Sequence, residues 1–214
     1  IESVMELKKI PNEKFIENLE SRKMKELEFH NRDRDEAFVK EAQESSDTFE
    51  KFYGNKKYYK TTALSKNYVD GWIEKNAKGK VCLDFACGNG ENSFKMLSAD
   101  ASLVLGMDIS NISIDNCNRE LEISHSLQMS KAIFFQGDCE NTLLPDNSID
   151  TVICSGMLHH LDLQFAYPEL QRILKPGGKL LAIEALDYNP AIKLYRWITP
   201  DMRTDWEKAH ILSM

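Results

Sequence analysis

The stretch Lys80-Val81-Cys82-Leu83-Asp84-Phe85-Ala86-Cys87-Gly88-Asn89-Gly90 decides how the rest of the chain is read. Val81 to Phe85 is an apolar run with the β-branched and aromatic content of a buried strand. Ala86 to Gly90 is a turn of small residues. Glu91-Asn92-Ser93-Phe94-Lys95-Met96-Leu97 then opens a helix. A strand, a small-residue turn and a helix bring backbone N–H groups and a helix N-terminus around one point. Residues without large side chains let a ligand touch the backbone there. Asp84 closes the strand, where a carboxylate can face the same ligand.

Two kinds of ligand are bound by such a turn. A dinucleotide fold carries Gly-x-Gly-x-x-Gly between strand and helix. Here Gly88-x-Gly90 is followed by Ser93 instead of a third glycine. An acid in the approach to the turn also suits an aminoacyl ammonium better than a pyrophosphate, because a carboxylate repels phosphate. The stretch resembles the first motif of the class I S-adenosylmethionine-dependent methyltransferases, an acid followed by a Gly-x-Gly-x-Gly-like turn. It departs at Ala86, where that family more often has glycine. Alanine preserves close approach but takes positive φ only at a cost. The resemblance implies S-adenosylmethionine as cofactor, surrounded by Asp84, Ala86, Cys87, Gly88, Asn89 and Gly90.

Three further pieces follow in order. Ser102 to Ser110 reads as a second buried strand ending in Asp108, with Ile109 beside it, roughly 20 residues after the turn, the spacing of a ribose-binding acid. The other reading of Asp108 is an N-cap acid for the helix that follows. Ala132 to Gln136 is a third strand, followed by Gly137-Asp138-Cys139. The resemblance implies that Asp138 accepts from the adenine amine and that the Cys139 backbone donates to the ring; an ordinary turn acid is the alternative. Leu174-Lys175-Pro176-Gly177-Gly178-Lys179-Leu180 matches the turn before the family's fifth strand, here predicted at Leu180–Ala185. Glu184 and Asp187, at that strand's end, can face an acceptor. The resemblance covers about residues 80 to 186. It also implies a cofactor contact from the backbone at Ser155 and, by spacing alone, from Tyr59.

The fourth strand, Thr151 to Cys154, runs into Ser155-Gly156-Met157-Leu158-His159-His160-Leu161. His159 and His160 are the candidate catalytic residues, since imidazole titrates near neutrality and can take a proton from an acceptor; a structural histidine is the alternative. Adjacent histidines are poorly spaced to share one ion from a regular element, so no metal is expected there.

The chain has 214 residues, a formal charge of −7 and a pI near 5.3, which argues against a general polyanion-binding surface. No Asn/Asp-Pro-Pro-Tyr-type motif follows the fourth strand. The expected acceptor is therefore a small molecule, with no nucleic acid. No apolar run approaches the ~18–20 residues of a membrane span, and no basic head with an apolar stretch opens the chain. Five cysteines, odd in number and without Cys-x-x-Cys spacing, read as reduced thiols in a cytoplasmic protein.

Residues 1–75 read as an N-terminal helical extension, with apolar residues at helical spacing, such as Phe15, Leu19, Met24 and Leu27. Leu27 to Arg32 reads as a solvated helix end with Phe29 tucked inward, the alternative being part of an active-site cover. Residues 49–67 interleave aromatics and lysines. Residues 76–214 read as the core. Asn189 to Trp206 reads as an amphipathic helix over the acceptor or the sheet. The family's final hairpin is not seen before Met214, and both ends read as trimmed. The expected fold is α/β, a Rossmann-like doubly wound, mostly parallel sheet with helices on both faces. The implied reaction is in-line displacement at the sulfonium methyl by an acceptor oxygen, nitrogen or carbon. A non-catalytic relative and a nicotinamide oxidoreductase are the alternatives. The oligomeric state is not legible.

Overall fold

A computed structural model describes residues 2–35, 37, 40, 63–184, 190–198 and 204–210. Its sheet is built from β1 (Val81–Phe85), β2 (Leu103–Asp108), β3 (Ala132–Gln136), β4 (Ile149–Ser155) and β5 (Leu174–Ile183). All pairings are parallel, in the order β3-β2-β1-β4-β5. The first four strands are almost wholly buried, as parallel strands with two covered faces must be. The chain winds outward from β1 to β3 and then returns to place β4 on the other side of β1. The strand order reverses between β1 and β4, and that switch point opens a crevice at the carboxyl ends of the strands.

Side-chain alternation divides the strands between two cores. Leu83, Phe85, Leu105, Met107, Ile133 and Phe135 point to one face, closed by α1 (Glu2–Lys8) through Val4 and by α7 (Leu163–Ile173) through Leu170 and Ile173. Cys82, Val104, Phe134 and Ile153 point to the other, closed by α4 (Ala63–Ala77), α5 (Glu91–Ser98) and α6 (Asn111–Ser124). The expected division at residue 75 falls inside α4, whose Val69, Ile73 and Ala77 all pack into this second core.

The N-terminal residues form α1, α2 (Asn12–Ile16) and α3 (Ser21–Arg34). Two expectations are corrected. The Pro-Gly-Gly turn is not ahead of β5 but inside it. Ile149 pairs with Leu174 and Thr151 with Lys179, so the residues between form a bulge, with Gly177 at φ +78°. The single C-terminal helix is two, α8 (Pro190–Ile198) and α9 (Asp205–Ala209). Leu194, Trp197 and Ile198 of α8 are exposed, so these side chains do not cover the sheet. Among the described residues, no helix is long and apolar enough to cross a membrane.

Gly106 in β2 is tightly packed against the second core. A Cβ there would stand 2.3 and 2.5 Å from the Phe134 ring. That ring is fully buried, so the ring and β3 must shift together. Gly106→Ala is expected to destabilise the fold by roughly 1–3 kcal/mol. A lower urea midpoint at unchanged slope is the expected result; an unmoved midpoint would contradict this packing.

Candidate functional site

The turn after β1 is folded by its own backbone. Cys87 N–H donates to Met107 O at 2.9 Å and Gly90 N–H to Cys87 O at 2.9 Å. The path requires φ +60° at Ala86, +52° at Gly88 and +82° at Gly90. Alanine thus does occupy the left-handed region, at a cost of about 1–2 kcal/mol. At Gly90 a Cβ would stand 2.8 Å from the Phe94 ring and 3.0 Å from Cys117 Sγ, so glycine is needed for space as well.

Ser93 takes the position of the dinucleotide fold's third glycine, and its function is visible. Its backbone N–H (2.8 Å) and hydroxyl (2.7 Å) both donate to Asp84 Oδ2. Asp84 is only 2% exposed, so its carboxylate braces β1 against α5. Burial pushes its pKa up to about 7, against the opposing effect of the two Ser93 bonds. Asp108 is also buried. Its Oδ2 accepts from Gly88 N–H at 2.8 Å and its Oδ1 from Ser110 N–H at 2.9 Å. Burial raises its pKa despite those bonds. The N-cap alternative for Asp108 is corrected, because the Ser110 hydroxyl caps α6 by accepting from Ser113 N–H at 3.0 Å.

The other expected residues line the same strand ends. Asp138, after β3, accepts from Glu140 N–H at 2.8 Å and from Lys23 Nζ at 2.6 Å. Cys139 is buried, which drives its thiol pKa well up. The Ile109 carbonyl accepts from Gln136 Nε2 at 2.8 Å. Asn89 is exposed and its Oδ1 accepts from Asn116 Nδ2 at 3.2 Å. Ser155 is exposed at the end of β4. Tyr59 and Asp187 lie outside the described residues, as does most of the aromatic-lysine segment. All five cysteines are free and buried.

Helix α3 lies across these strand ends, which corrects its reading as a solvated end. Arg22 reaches both oxygens of Glu140 at 2.6 and 2.7 Å and the His160 carbonyl at 3.2 Å. Its guanidinium stacks on Trp206 of α9, 4.4 Å from the ring centre. Lys23 bridges Asp138 and Glu140 at 2.6 and 3.0 Å. Burial opposes its charge, but the two carboxylates outweigh that and raise its pKa. Asn31 accepts from the Ser110 hydroxyl at 2.6 Å and donates to Asn111 at 3.0 Å. Arg34 lies over Gly88, with Nη2 3.4 Å from where a Cβ would stand.

The two histidines after β4 take different partners, although their ring centres stand 4.4 Å apart. His159 Nδ1 meets Glu184 Oε2 at 2.7 Å. Glu184 also accepts from Met157 N–H at 2.9 Å and Leu158 N–H at 2.7 Å. Burial pushes this carboxyl up, but the His159 bond and the two amides outweigh it and leave its pKa lowered. His160 is buried and its Nδ1 meets Glu26 Oε2 of α3 at 2.9 Å.

Residues 83–182 match the family described as "Methyltransferase domain". A 27-O-demethylrifamycin SV methyltransferase of Amycolatopsis mediterranei is 31% identical over 104 residues, 48% of this chain and 37% of that protein. A tRNA U34 carboxymethyltransferase of Methylococcus capsulatus is 31% identical over 113 residues, 48% of this chain and 31% of that protein. The chain carries a class I S-adenosylmethionine-dependent methyltransferase domain. The solved structure of a putative S-adenosyl-L-methionine-dependent methyltransferase from Methanococcus maripaludis shares its fold, with a TM-score of 0.53 and 20% identity, over 78% of this chain and 74% of that one. The alignments span about a third of the length of these two curated relatives.

S-adenosylmethionine is the cofactor of this family, and the donor set of the methyltransferase domain suits it. Gly88 presents no side chain toward the crevice, and a carboxylate has about four acceptor sites, so Asp108 and Asp138 can accept further hydrogen bonds. Sequence reading missed Arg22, Lys23, Glu26 and Glu140. Their pairings join residues more than a hundred positions apart, and only the i, i+4 spacing of Glu26 and His30 was a local signal.

Asp84 gives the methyltransferase domain a pH-dependent term. Its folded pKa near 7 lies above the ordinary 3.8. Its contribution is therefore full below about pH 4 and is lost as pH rises toward 7, worth roughly 4 kcal/mol at most. Asp84→Asn keeps an oxygen for Ser93 but cannot ionise. The stability gap between wild type and variant is expected to shift in the variant's favour by roughly 2–3 kcal/mol from pH 5 to pH 8. Denaturant unfolding at several pH values checks this, and a constant gap would refute it.

Proposed function

We propose that this chain transfers the methyl group of S-adenosylmethionine to a small-molecule acceptor. The observation that carries the reading is the set of Asp84, Asp108 and Asp138 at the ends of three adjacent parallel strands, around the glycine turn and beside the His159–Glu184 pair. Asp108 would hold the ribose hydroxyls and Asp138 with the Cys139 backbone the adenine. Ala86 to Gly90 would lie along the cofactor, with Ile109, Ser155 and Tyr59 completing its surroundings. When bound, the cofactor supplies an electrophilic methyl that needs alignment and desolvation more than activation.

His159 is the group we assign to the acceptor's proton. Donation from Nδ1–H to Glu184 makes Nε2 the basic nitrogen, and the anionic carboxylate stabilises the imidazolium that forms. The rifamycin relative supports a small-molecule acceptor, as does the chain's negative charge; the tRNA relative makes RNA the competitor to be tested. The five reduced thiols support a cytoplasmic setting.

Calorimetric titration with S-adenosylmethionine, S-adenosylhomocysteine and NAD tests the cofactor. Micromolar binding of the first two is expected, at least tenfold weaker in Asp108→Asn with the melting temperature checked alongside. Binding of NAD alone would overturn the reading. A labelled-methyl screen against small molecules and tRNA then tests the acceptor, and transfer to tRNA alone would replace the small-molecule proposal. With an acceptor found, His159→Ala is expected to lower kcat about 10²-fold with cofactor affinity unchanged. An unaltered kcat would remove the base role.

A further inference from the structure

Glu26, His30 and His160 meet beside the strand-end carboxylates and have no part in the chemistry proposed above. Glu26 and His30 stand four residues apart on α3 and so share one face of it. His160 arrives from the turn Leu158–His160 after β4. One donor atom from each of the three lies within 4.8 Å of the other two. Glu26 Oε2 is 2.9 Å from His160 Nδ1 and 3.9 Å from His30 Nε2. The imidazoles of His30 and His160 pack edge to face with centres 4.9 Å apart. Glu26 and His160 are buried, and His30 is partly buried between Phe29 and His160.

A hydrogen-bonded Glu26–His160 pair needs only two of these residues. His30 is what the pair leaves unexplained. Its nitrogen is directed at the same carboxylate oxygen, at 3.9 Å, too far for a hydrogen bond. Around a tetrahedral ion with bonds near 2.0–2.1 Å, donor atoms stand about 3.3 Å apart. The observed spacings bracket that value, so small side-chain rotations would bring all three donors onto one ion. Thr204 Oγ donates to the other Glu26 oxygen at 2.6 Å, which fixes the carboxylate's orientation.

We propose that Glu26, His30 and His160 form a three-ligand site for a divalent first-row transition ion of the zinc class. Two imidazoles and one carboxylate disfavour calcium and magnesium, which take oxygen ligands. Three protein ligands leave a fourth position for water or for a donor atom of the acceptor. The ion would tie α3 to the loop after β4.

The test is calorimetric titration of the chelator-stripped chain with Zn²⁺, with Co²⁺ absorption as the reporter of geometry. One ion per chain is expected, with the visible band of a tetrahedral cobalt site. His30→Ala is expected to weaken Zn²⁺ at least tenfold, with the metal-free melting temperature measured alongside because the ring packs on Phe29 and His160. Should that variant melt early, Glu26→Gln carries the same comparison, since it keeps an oxygen for Thr204 and loses the charge. Absence of binding to the wild-type chain overturns the proposal. So does wild-type affinity in either folded variant, which would place the ion on the thiols or elsewhere. Cofactor titration is a separate readout, so failure of the ion leaves the methyl-transfer reading standing.

Discussion

The hydrogen bond from Gly88 N–H to Asp108 is the constraint on which the crevice depends. It joins the turn after β1 to the end of β2, and it needs a backbone that passes through positive φ at both Ala86 and Gly88. A parallel sheet leaves the carboxyl ends of its strands to be satisfied by loops, and here the loops are satisfied by the strand-end acids. Asp84 holds α5 through Ser93, Asp108 holds the turn, and Asp138 holds its own loop through Glu140 N–H. Each carboxylate therefore carries a structural bond before any ligand arrives. The positions that would grip a cofactor are pre-set by the fold, which is what keeps binding free energy from being spent on ordering the site.

Burial has its own consequence. Asp84 and Asp108 are both pushed toward the neutral form. Arg34 already lies near Asp108, and a cationic ligand would add counter-charge for both acids. This is the electrostatic reason why an ammonium and a sulfonium suit this crevice better than a pyrophosphate.

The fold and the line of strand-end acids were legible because they rest on local signals: apolar runs of strand length, small-residue turns, and an acid at each strand end. The shape of β5 was not. Pro176-Gly177-Gly178 carries a strong turn signal, and only pairing with β4 on both sides of it makes it a bulge. Helix α3 was misread for a different reason. Its composition is that of a solvated helix, and its charges are half-buried because their partners, Asp138, Glu140 and His160, are brought to it by the sheet. A helix that covers a polar crevice lacks the apolar stripe by which a core helix is recognised.

That difference bears on how the site works. A helix held on an apolar core pays for displacement in exposed carbon, whereas α3 is held over the crevice chiefly by ion pairs and hydrogen bonds, with Glu26 and Leu27 its only fully buried residues. These pairs are largely buried, so a ligand that separates one of them must itself replace the lost partner. Lys23 on Asp138 and Arg34 over Gly88 set positive charge where the acids set negative. A cation entering the crevice is favoured by the carboxylates and opposed by these two side chains. For a cofactor bound as proposed, affinity would be set jointly by the strand-end acids and by the cations of the helix above them.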